Sequence, residues 1–237
     1  KTKIICTLGP ASCTKEIIRE LIREGMNVAR FNFSHGTHES HLALFQVLNK
    51  VRNEMGVPIG TILDTSGPEI RTGTFRGGRA LLKEGAAFDL VTEKIEGDET
   101  AAWITYPNLP RDLGDKKRIL LDDGLIELEV QEVSDTRIRT RVVAGGEISD
   151  RKGVNIPGTR LSMPYLSEKD REDLLFGIRT GFDIVAASFV RMREDVQQMR
   201  DFLDLNGGAH VRIMAKIENA EGVANLEEII QVCDSVM

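Results

Sequence analysis

Short apolar runs alternate with amphipathic segments over the first 66 residues of the chain. Apolar residues recur at helical spacing in two segments, from Ile17 to Ile22 and from Leu44 to Met55, and Gly25 and Gly56 follow them as predicted C-caps. The runs before, between and after these segments are predicted strands, and they read KIICTL, MNVARFNF and PIGTILD. The pattern predicts the order strand, helix, strand, helix, strand.

The pattern changes to that of an all-β segment between residues 67 and 157. In LIELEVQEV, apolar Ile126, Leu128 and Val130 alternate with acidic and polar residues, a period of two that is typical of a half-buried strand. RIRTRV alternates in the same way, and LDDG and AGGE are turn signals. The segment is predicted to form a small antiparallel sheet or barrel.

The alternation of helices and strands returns after residue 157. Ser167 and Asp170 have the spacing of a capping box, and they predict the start of a helix that ends near Gly181. Helical spacing predicts two more helices, over residues 196–203 and 226–232. The predicted strands between and after them read FDIVAASFV, HVRIMAKIEN and, at its beginning only, CDSVM.

We therefore predict an α/β fold, a (β/α)8 TIM-type barrel that is incomplete in this chain and carries an inserted all-β, barrel-like domain. The predicted barrel domain comprises residues 1–66 and 158–237, and the insertion comprises 67–157. Polar residues gather where each predicted barrel strand ends, the face on which such barrels carry their site. A doubly wound sheet is the alternative, but CTLGPAS lacks the G-x-G-x-x-G phosphate loop of that fold.

Composition narrows the classes of function. The 237 residues are 41% hydrophobic and 29% charged, as in ordinary globular proteins, and the formal net charge of −6 argues against nucleic acid as a partner. No apolar run has the length of a membrane span, so no membrane association is expected. The three cysteines have neither paired nor metal-binding spacing, which predicts a reducing compartment and hence a cytoplasmic protein.

The stretch ARFNFSHG places Arg30, Asn32 and Ser34 on one face of a predicted strand, and the two phenylalanines between them take the other face. A guanidinium, an amide and a hydroxyl in line suit a site for an anion and a cation. A polar strand end in contact with solvent is an equally good interpretation of this stretch alone.

Two further stretches place charged side chains at predicted strand ends. In LDTSGPEIRTG, Asp64 and Thr65 offer hard oxygen ligands and Arg71 offers a phosphate donor, although a plain turn between domains is favoured when the stretch is taken alone. In KIENAEG, Lys216 and Glu218 are expected on one face of a strand. They form either a simple ion pair, which is favoured for the strand viewed alone, or a Mg2+ carboxylate beside a cation that stabilises charge on a substrate.

Other polar residues carry weaker signals. His35, His38 and His41 recur at three-residue steps, but His35 precedes the predicted helix, so solvated histidines are favoured over a zinc site. Lys152 lies where the chain returns from the insertion, and by itself it is interpreted as a surface lysine.

Seven stretches, in this order, resemble the pyruvate kinase family: CTLGPAS, GMNVARFNFSHG, LDTSGPEIRTG, LLDDGLIELEV, KGVNIPG, DIVAASFVR and KIENAEG. The resemblance spans essentially the whole chain and includes a β domain inserted after the third barrel strand, which in this family is a mobile lid. It implies transfer of the phosphoryl group of phosphoenolpyruvate to ADP, giving pyruvate and ATP. It also implies Mg2+ (or Mn2+) and K+ as cofactors, and a homotetramer for the full-length protein.

The resemblance also implies a role for each candidate residue. Arg30 matches the residue that binds the transferred phosphate, Lys216 the lysine that stabilises the phosphoryl group and the enolate, and Glu218 a Mg2+ ligand. The K+ ligands implied are Asn32, Ser34, Asp64 and Thr65, the last through its carbonyl. The other contacts implied are His35 and Arg71 on the nucleotide side, Lys152 on the lid, and Ser188 at the mouth of the substrate site.

Two positions and the end of the chain refine this resemblance. Glu69 in GPEIR matches the glutamate that goes with K+ dependence in the family. Ser66 stands where the family usually has lysine, and this difference would alter the hinge between the domains or a contact with the nucleotide. The family pattern continues past Met237 with a second Mg2+ carboxylate, further barrel strands and a regulatory domain. We therefore expect a truncated chain that is inactive alone. The alternatives are a fragment that only binds ligands and a Mg2+-dependent lyase or mutase barrel acting on phosphoenolpyruvate-like acids.

Overall fold

The chain begins with three strands separated by two helices in the computed structural model, which describes residues 2–115, 117–159 and 161–237. These elements are β1 (Ile4–Thr7), α1 (Lys15–Arg23), β2 (Met26–Asn32), α2 (His38–Met55) and β3 (Gly60–Asp64). Local signals set the helix ends, because Thr14 caps α1 through its hydroxyl and Thr37 forms a capping box with Ser40 at the start of α2. Gly56 then ends α2 in the left-handed conformation, with φ of 65°.

The segment that follows is almost entirely β-structure, as predicted. Its elements are β4 (Arg79–Leu82), β5 (Ala87–Val91), β6 (Ala101–Trp103), the short helix α3 (Leu109–Asp112), β7 (Arg118–Leu121), β8 (Ile126–Ser134), β9 (Arg137–Ala144), β10 (Gly146–Ser149) and β11 (Val154–Asn155). Six strands form one sheet in the order β11-β7-β8-β9-β5-β6, and β4 pairs with β10. The alternation of β8 holds, since Ile126, Leu128 and Val130 are buried.

Helices and strands then alternate again. The elements are α4 (Glu168–Thr180), β12 (Ile184–Ala187), α5 (Arg193–Leu205), β13 (Arg212–Ala215), α6 (Ala220–Ala224), α7 (Leu226–Ile229) and β14 (Ser235–Val236). Two predictions are wrong in detail. The strand β13 ends at Ala215, before Lys216, and two short helices replace the single helix over 226–232. The physical reason is the cap at Asn219, whose side chain accepts a hydrogen bond from the Gly222 amide and starts α6 at once.

The strands outside the all-β segment form one parallel sheet in the order β1-β2-β3-β12-β13-β14, which is also their order along the chain. A doubly wound sheet would reverse its strand order at a switch point, whereas a (β/α)8 barrel needs consecutive strands to be neighbours. The prediction of an incomplete barrel is therefore confirmed, and the doubly wound alternative is wrong.

The chain divides into two compact units, each with its own core. The first unit comprises Lys1–Pro68 with Pro164–Met237, and the second comprises Glu69–Met163. In the first, the buried ring of Phe31 packs against Phe45 and Phe182 at centroid distances of 6.0 and 5.1 Å. The second has a separate cluster of buried aliphatic and aromatic side chains. In the described ranges, no helix has both the length and the apolar character needed to cross a membrane.

The cap of α4 provides a test of the local signals. The Ser167 hydroxyl donates to the buried Asp170 carboxylate at 2.6 Å and accepts from the Asp170 amide at 3.1 Å. We expect Ser167→Ala to lower the free energy of unfolding by about 1 kcal/mol, because it removes the cap and a partner of a buried carboxylate. Urea denaturation followed by circular dichroism of the helices measures the change. Ser167→Thr keeps the hydroxyl and serves as the control, and an equal loss in that variant would contradict the capping argument.

Candidate functional site

The carboxyl ends of neighbouring barrel strands bring together side chains from distant parts of the sequence. Arg30 lies on β2, Asp64 ends β3, Ser188 directly follows β12, and Lys216 and Glu218 follow β13. We call these five residues the strand-end cluster. All five belong to the first unit, and each contacts at least one other member of the cluster.

Asp64 lies at the centre of the strand-end cluster and is 1% exposed. Its Oδ2 atom accepts a hydrogen bond from Arg30 Nε at 2.8 Å and a second one from Arg30 Nη2. Its Oδ1 atom lies 3.1 Å from Lys216 Nζ. A buried carboxylate is stable only when it is paired and hydrogen-bonded, and here it is paired with two cations. Asp64 therefore holds both cations at the edge of the sheet.

Lys216 has three oxygen atoms around its ammonium group. Nζ donates a hydrogen bond to Ser188 Oγ at 2.9 Å, and it forms ion pairs with Asp64 Oδ1 at 3.1 Å and Glu218 Oε1 at 3.2 Å. The ion pair that was favoured for the strand alone is thus present, although both residues lie beyond the end of β13 rather than on it. The pair belongs to a larger network of charged groups. A mostly buried lysine needs carboxylate partners whether it only forms an ion pair or also stabilises charge on a substrate.

Glu218 is held from both sides. Its Oε1 atom faces Lys216, and its Oε2 atom accepts a hydrogen bond from the Phe189 amide at 3.0 Å. Phe189 has φ of 55°, a left-handed conformation that costs a bulky residue roughly 1–2 kcal/mol. Such backbone strain occurs most often at functional sites. The Glu218 side chain remains 32% exposed, so its carboxylate is oriented by the protein and still reachable from solvent.

Ser188 connects the ends of β3 and β12. Its hydroxyl donates to the Thr65 carbonyl at 2.6 Å, its amide donates to Thr65 Oγ1 at 3.3 Å, and its carbonyl accepts from the Tyr165 hydroxyl at 3.0 Å. Gly67 approaches the same carbonyl so closely that a Cβ atom would lie 2.6 Å from it, and its φ is +70°. Only glycine fits at position 67 without displacing Ser188.

Tyr165 is a residue of this site that the sequence does not reveal. Its side chain is 1% exposed, and burial, reinforced by Asp195 and Asp170, raises the pKa of its hydroxyl well above the usual value. The hydroxyl therefore keeps its proton and acts as a donor to Ser188. A tyrosine after Met163-Pro164 has no periodic or motif signal, and its partner lies 23 residues further along the chain.

Each of the four residues that the resemblance implies as K+ ligands offers an oxygen atom as a ligand. The Asn32 side-chain carbonyl accepts from the Ser34 amide at 3.0 Å, and the Ser34 and Ser66 hydroxyl oxygens lie 3.5 Å apart. The Thr65 carbonyl accepts from Ser188, but a carbonyl oxygen has a second lone pair. With the Asp64 carboxylate, these amide, hydroxyl and carbonyl oxygens form the kind of donor set that an alkali cation prefers. The donor set fits K+, and Ser66 does not remove any member of it.

Fewer residues of this site are candidate ligands for a divalent cation. In the three described ranges, no group of three or more His, Cys, Asp and Glu side chains is arranged to hold a metal ion. Mg2+ commonly uses only one or two protein carboxylates, because water and substrate oxygens complete its shell. Glu218 is oriented and partly exposed, so it fits as such a carboxylate.

The three histidines do not behave as a solvated group. His35 is exposed, and its carbonyl accepts from His41 Nε2 at 2.8 Å. The His41 ring stacks on Phe33 with centroids 4.1 Å apart, and burial lowers the pKa of its imidazole. His38 Nε2 lies 2.7 Å from the buried carboxylate of Asp173. The expectation of solvated histidines needs correction, because His41 is half-buried against Phe33 and His38, whose side chain is 35% exposed, pairs with Asp173 of α4.

Arg71 and Lys152 belong to the second unit, where each has a carboxylate partner. Arg71 Nε donates to Glu69 Oε2 at 2.9 Å, and Arg71 Nη1 donates to the Arg151 carbonyl at 2.7 Å. Lys152 Nζ lies 2.8 Å from Asp122 Oδ1, and the Lys152 side chain is 35% exposed. The interpretation of Lys152 as a plain surface lysine therefore needs correction, because an ion pair to a mostly buried aspartate orients it.

A family model and several known proteins match this chain over its whole length. The family model described as pyruvate kinase, barrel domain, matches residues 1–237. A protein named pyruvate kinase from Sporosarcina psychrophila is 47% identical to this chain over 239 residues, which cover 100% of the chain and 41% of that protein. The corresponding values are 47% identity, 100% and 50% for Clostridium perfringens, and 45%, 100% and 41% for Geobacillus stearothermophilus.

The matched regions define how much of these relatives the chain represents. The chain spans between 41% and 50% of the length of the three relatives. The family model matches every residue of the chain, and each relative is well above the identity at which a shared family is in doubt. This chain belongs to the pyruvate kinase family.

Proposed function

We propose that the protein containing this chain transfers the phosphoryl group of phosphoenolpyruvate to ADP, giving pyruvate and ATP. The observation that carries the proposal is the pair of cations, Arg30 and Lys216, that the buried Asp64 carboxylate holds at the strand ends. Phosphoryl transfer depends on positioning and on neutralising charge rather than on covalent help from the protein. Two fixed cations at one edge of the sheet supply both.

Arg30 is proposed to bind the phosphoryl group. Its guanidinium uses one N–H on each nitrogen for Asp64 and Thr7, with Nη1 donating to Thr7 Oγ1 at 2.7 Å. These contacts leave a second N–H on Nη1 and another on Nη2. The side chain is 25% exposed, so the two donors are oriented by the protein and accessible to phosphate oxygens.

Lys216 is proposed to stabilise the negative charge that develops on the transferring phosphoryl group and on the enolate of pyruvate. Its side chain is only 12% exposed, and an ammonium group attracts an anion more strongly in such an environment than in water. Ser188 is proposed to position Lys216 at the mouth of the substrate site through the 2.9 Å hydrogen bond. The Tyr165 hydroxyl in turn donates a hydrogen bond to the Ser188 carbonyl.

The proposed cofactors are Mg2+ (or Mn2+), held by Glu218, and K+, held by Asn32, Ser34, Asp64 and Thr65. When bound, these cations supply further positive charge to neutralise the phosphoryl oxygens. His35, Arg71 and Lys152 are proposed to contact the nucleotide. The oxygen-only donor set and the partly exposed Glu218 support this assignment.

We also propose that the insertion acts as a lid that excludes water during transfer, with domain boundaries after residues 66 and 157. Its separate hydrophobic core supports an independent role for this segment. A homotetramer in the cytoplasm is the proposed state of the full-length protein, and it rests on the family resemblance and the cysteine pattern.

The direct test is ATP formation from phosphoenolpyruvate and ADP with Mg2+, in K+ and then in Na+, using the complete gene product that contains this chain. We expect ATP to form, and to form faster in K+ than in Na+. A luciferase assay measures the product. No ATP in either salt would contradict the proposal, and consumption of phosphoenolpyruvate without ADP would indicate a lyase or mutase instead.

Replacement of Lys216 tests the proposed charge stabilisation. We expect Lys216→Met to lower kcat by about two to three orders of magnitude, because it removes a preorganised cation from the site of charge development. Steady-state kinetics of ATP formation measures the effect. Lys83→Met, a change at an exposed lysine in the second unit, is the control and should leave kcat unchanged. A nearly normal kcat in Lys216→Met would show that another group stabilises the developing negative charge.

Charge reversal at Glu69 tests the proposed K+ dependence. Glu69 pairs with Arg71 through Oε2 at 2.8 Å. We expect Glu69→Lys to reduce the ratio of activity in K+ to activity in Na+, because in the family that the chain resembles a lysine at this position goes with K+ independence. Glu93→Lys, an exposed charge reversal in the same unit, is the control. An unchanged K+ response in Glu69→Lys would remove the basis for this assignment.

A further inference from the structure

The buried carboxylate of Asp173 has no part in the proposed chemistry. It lies on α4, and its side chain is only 4% exposed. Its Oδ2 atom pairs with Lys169 Nζ, one turn earlier on the same helix, at 2.6 Å, and its Oδ1 atom lies 2.7 Å from His38 Nε2 of α2. A buried charge is tolerated only where close partners compensate it. Asp173 therefore holds the Lys169 ammonium group in place.

Lys169 in turn holds the backbone directly after β2. Its Nζ atom donates a hydrogen bond to the Phe33 carbonyl at 2.7 Å. The peptide unit that carries this carbonyl also carries the Ser34 amide, which donates to the Asn32 side-chain carbonyl at 3.0 Å. A charged donor on the carbonyl polarises the peptide unit and strengthens the hydrogen bond of its N–H. The peptide unit is thus fixed at both ends, and the residues on either side of Phe33 are two of the proposed K+ ligands.

Asp170, the next residue of α4, holds the backbone after β3. Its Oδ1 atom accepts a hydrogen bond from the Gly67 amide at 3.2 Å. Gly67 follows closely after Asp64 and Thr65, the other two proposed K+ ligands. The two loops also contact each other, because the Phe33 amide donates to the Asp64 carbonyl at 3.0 Å. The first turn of α4 therefore contacts both of the loops that supply the proposed donor set.

We propose that Lys169, held by Asp173, positions the donor set for K+ and determines its preference for K+ over Na+. Selectivity between alkali cations depends on the size of the cavity or on the number and strength of the oxygen dipoles, and both follow from where the ligands are held. Lys169 and Asp173 act through the peptide unit after Phe33 rather than as ligands, so they are positioning residues. The inference rests on the proposed function, in which K+ is a cofactor.

The charge of Lys169 allows a test by the direction of the effect. An ammonium group near a cation site repels the cation, and Asp173 offsets part of that repulsion. If Lys169 acted through its charge alone, its removal would strengthen the binding of K+ and Na+ alike. If it acts by holding the Phe33 carbonyl, its removal weakens K+ binding and reduces the preference for K+ over Na+.

The experiment measures cation binding to the complete gene product, with Mg2+ and phosphoenolpyruvate present and ADP absent, so that no turnover occurs. Thallium NMR detects Tl+, which resembles K+ in charge and size, and its displacement by K+ or Na+ gives a Kd for each cation. We expect Lys169→Met to raise the Kd for K+ about tenfold, as loss of a contact that orients a metal ligand commonly does, and to raise the Kd for Na+ less. Asp173→Asn should act in the same direction, and its effect should not add to that of Lys169→Met, because both act through one carbonyl.

Two control variants separate positioning from charge. Lys169→Arg keeps a cationic donor for the Phe33 carbonyl, and it should retain most of the preference for K+. Arg179→Met removes an exposed cation from the last turn of the same helix, and it should leave both dissociation constants unchanged. Circular dichroism checks folding. If the buried Asp173→Asn variant unfolds, Lys169→Met provides the test, since the Lys169 side chain is 54% exposed.

The outcomes distinguish this inference from the proposed function. Weaker K+ binding and a smaller preference for K+ in Lys169→Met, both restored in Lys169→Arg, support the inference. Unchanged or stronger K+ binding overturns it, while K+ binding and ATP formation by wild type leave the proposed function intact. An equal loss for K+ and Na+ also overturns it, because the site would then be weakened without a change in selectivity. Wild type that forms ATP but binds neither Tl+ nor K+ removes the K+ site and this inference, and wild type that forms no ATP removes the proposed function.

Discussion

The buried carboxylate of Asp64 is the interaction on which the candidate site depends. A charge that is 1% exposed is tolerated only with close partners, and Asp64 takes two, Arg30 from β2 and Lys216 from beyond β13. Loss of either partner would remove one of the two cations that compensate this buried charge, and loss of both would leave it unpaired in the interior. The contacts that compensate the buried Asp64 carboxylate therefore also hold the two cations of the proposed chemistry in place.

The strand order makes this pairing possible. The strands β2 and β3 are neighbours, and β12 and β13 continue the parallel sheet from β3, so four carboxyl ends meet at one edge. The long insertion between β3 and β12 does not disturb this arrangement, because β12 pairs with β3 directly, with Ile184 opposite Ile62. Residues more than a hundred positions apart in the sequence thus come within hydrogen-bonding distance, as Thr65 and Ser188 do.

Three uncharged residues hold the side chains of the strand-end cluster in position. Tyr165 fixes the Ser188 carbonyl, Gly67 leaves space for it, and Phe189 accepts a strained backbone conformation while its amide orients Glu218. None of these three residues takes part in the proposed chemistry. Their common effect is to set the distances around Lys216 at 2.9 to 3.2 Å, and such fixed positions are the preorganisation that electrostatic catalysis requires.

The sequence by itself was enough to predict the alternation of helices and strands, the all-β insertion and the capping box at Ser167 and Asp170, because these features depend on local periodicity and local hydrogen bonds. It also identified Arg30, Asp64, Lys216 and Glu218 as polar residues at strand ends. Only the tertiary structure decided that Asp64 pairs with both cations, that His38 and His41 pack against Asp173 and Phe33, and that Tyr165 supports Ser188. Apart from the stacking of His41 on Phe33, these contacts join residues that are distant in sequence. A single sequence contains no local signal for them, since they follow from the order and register of the strands.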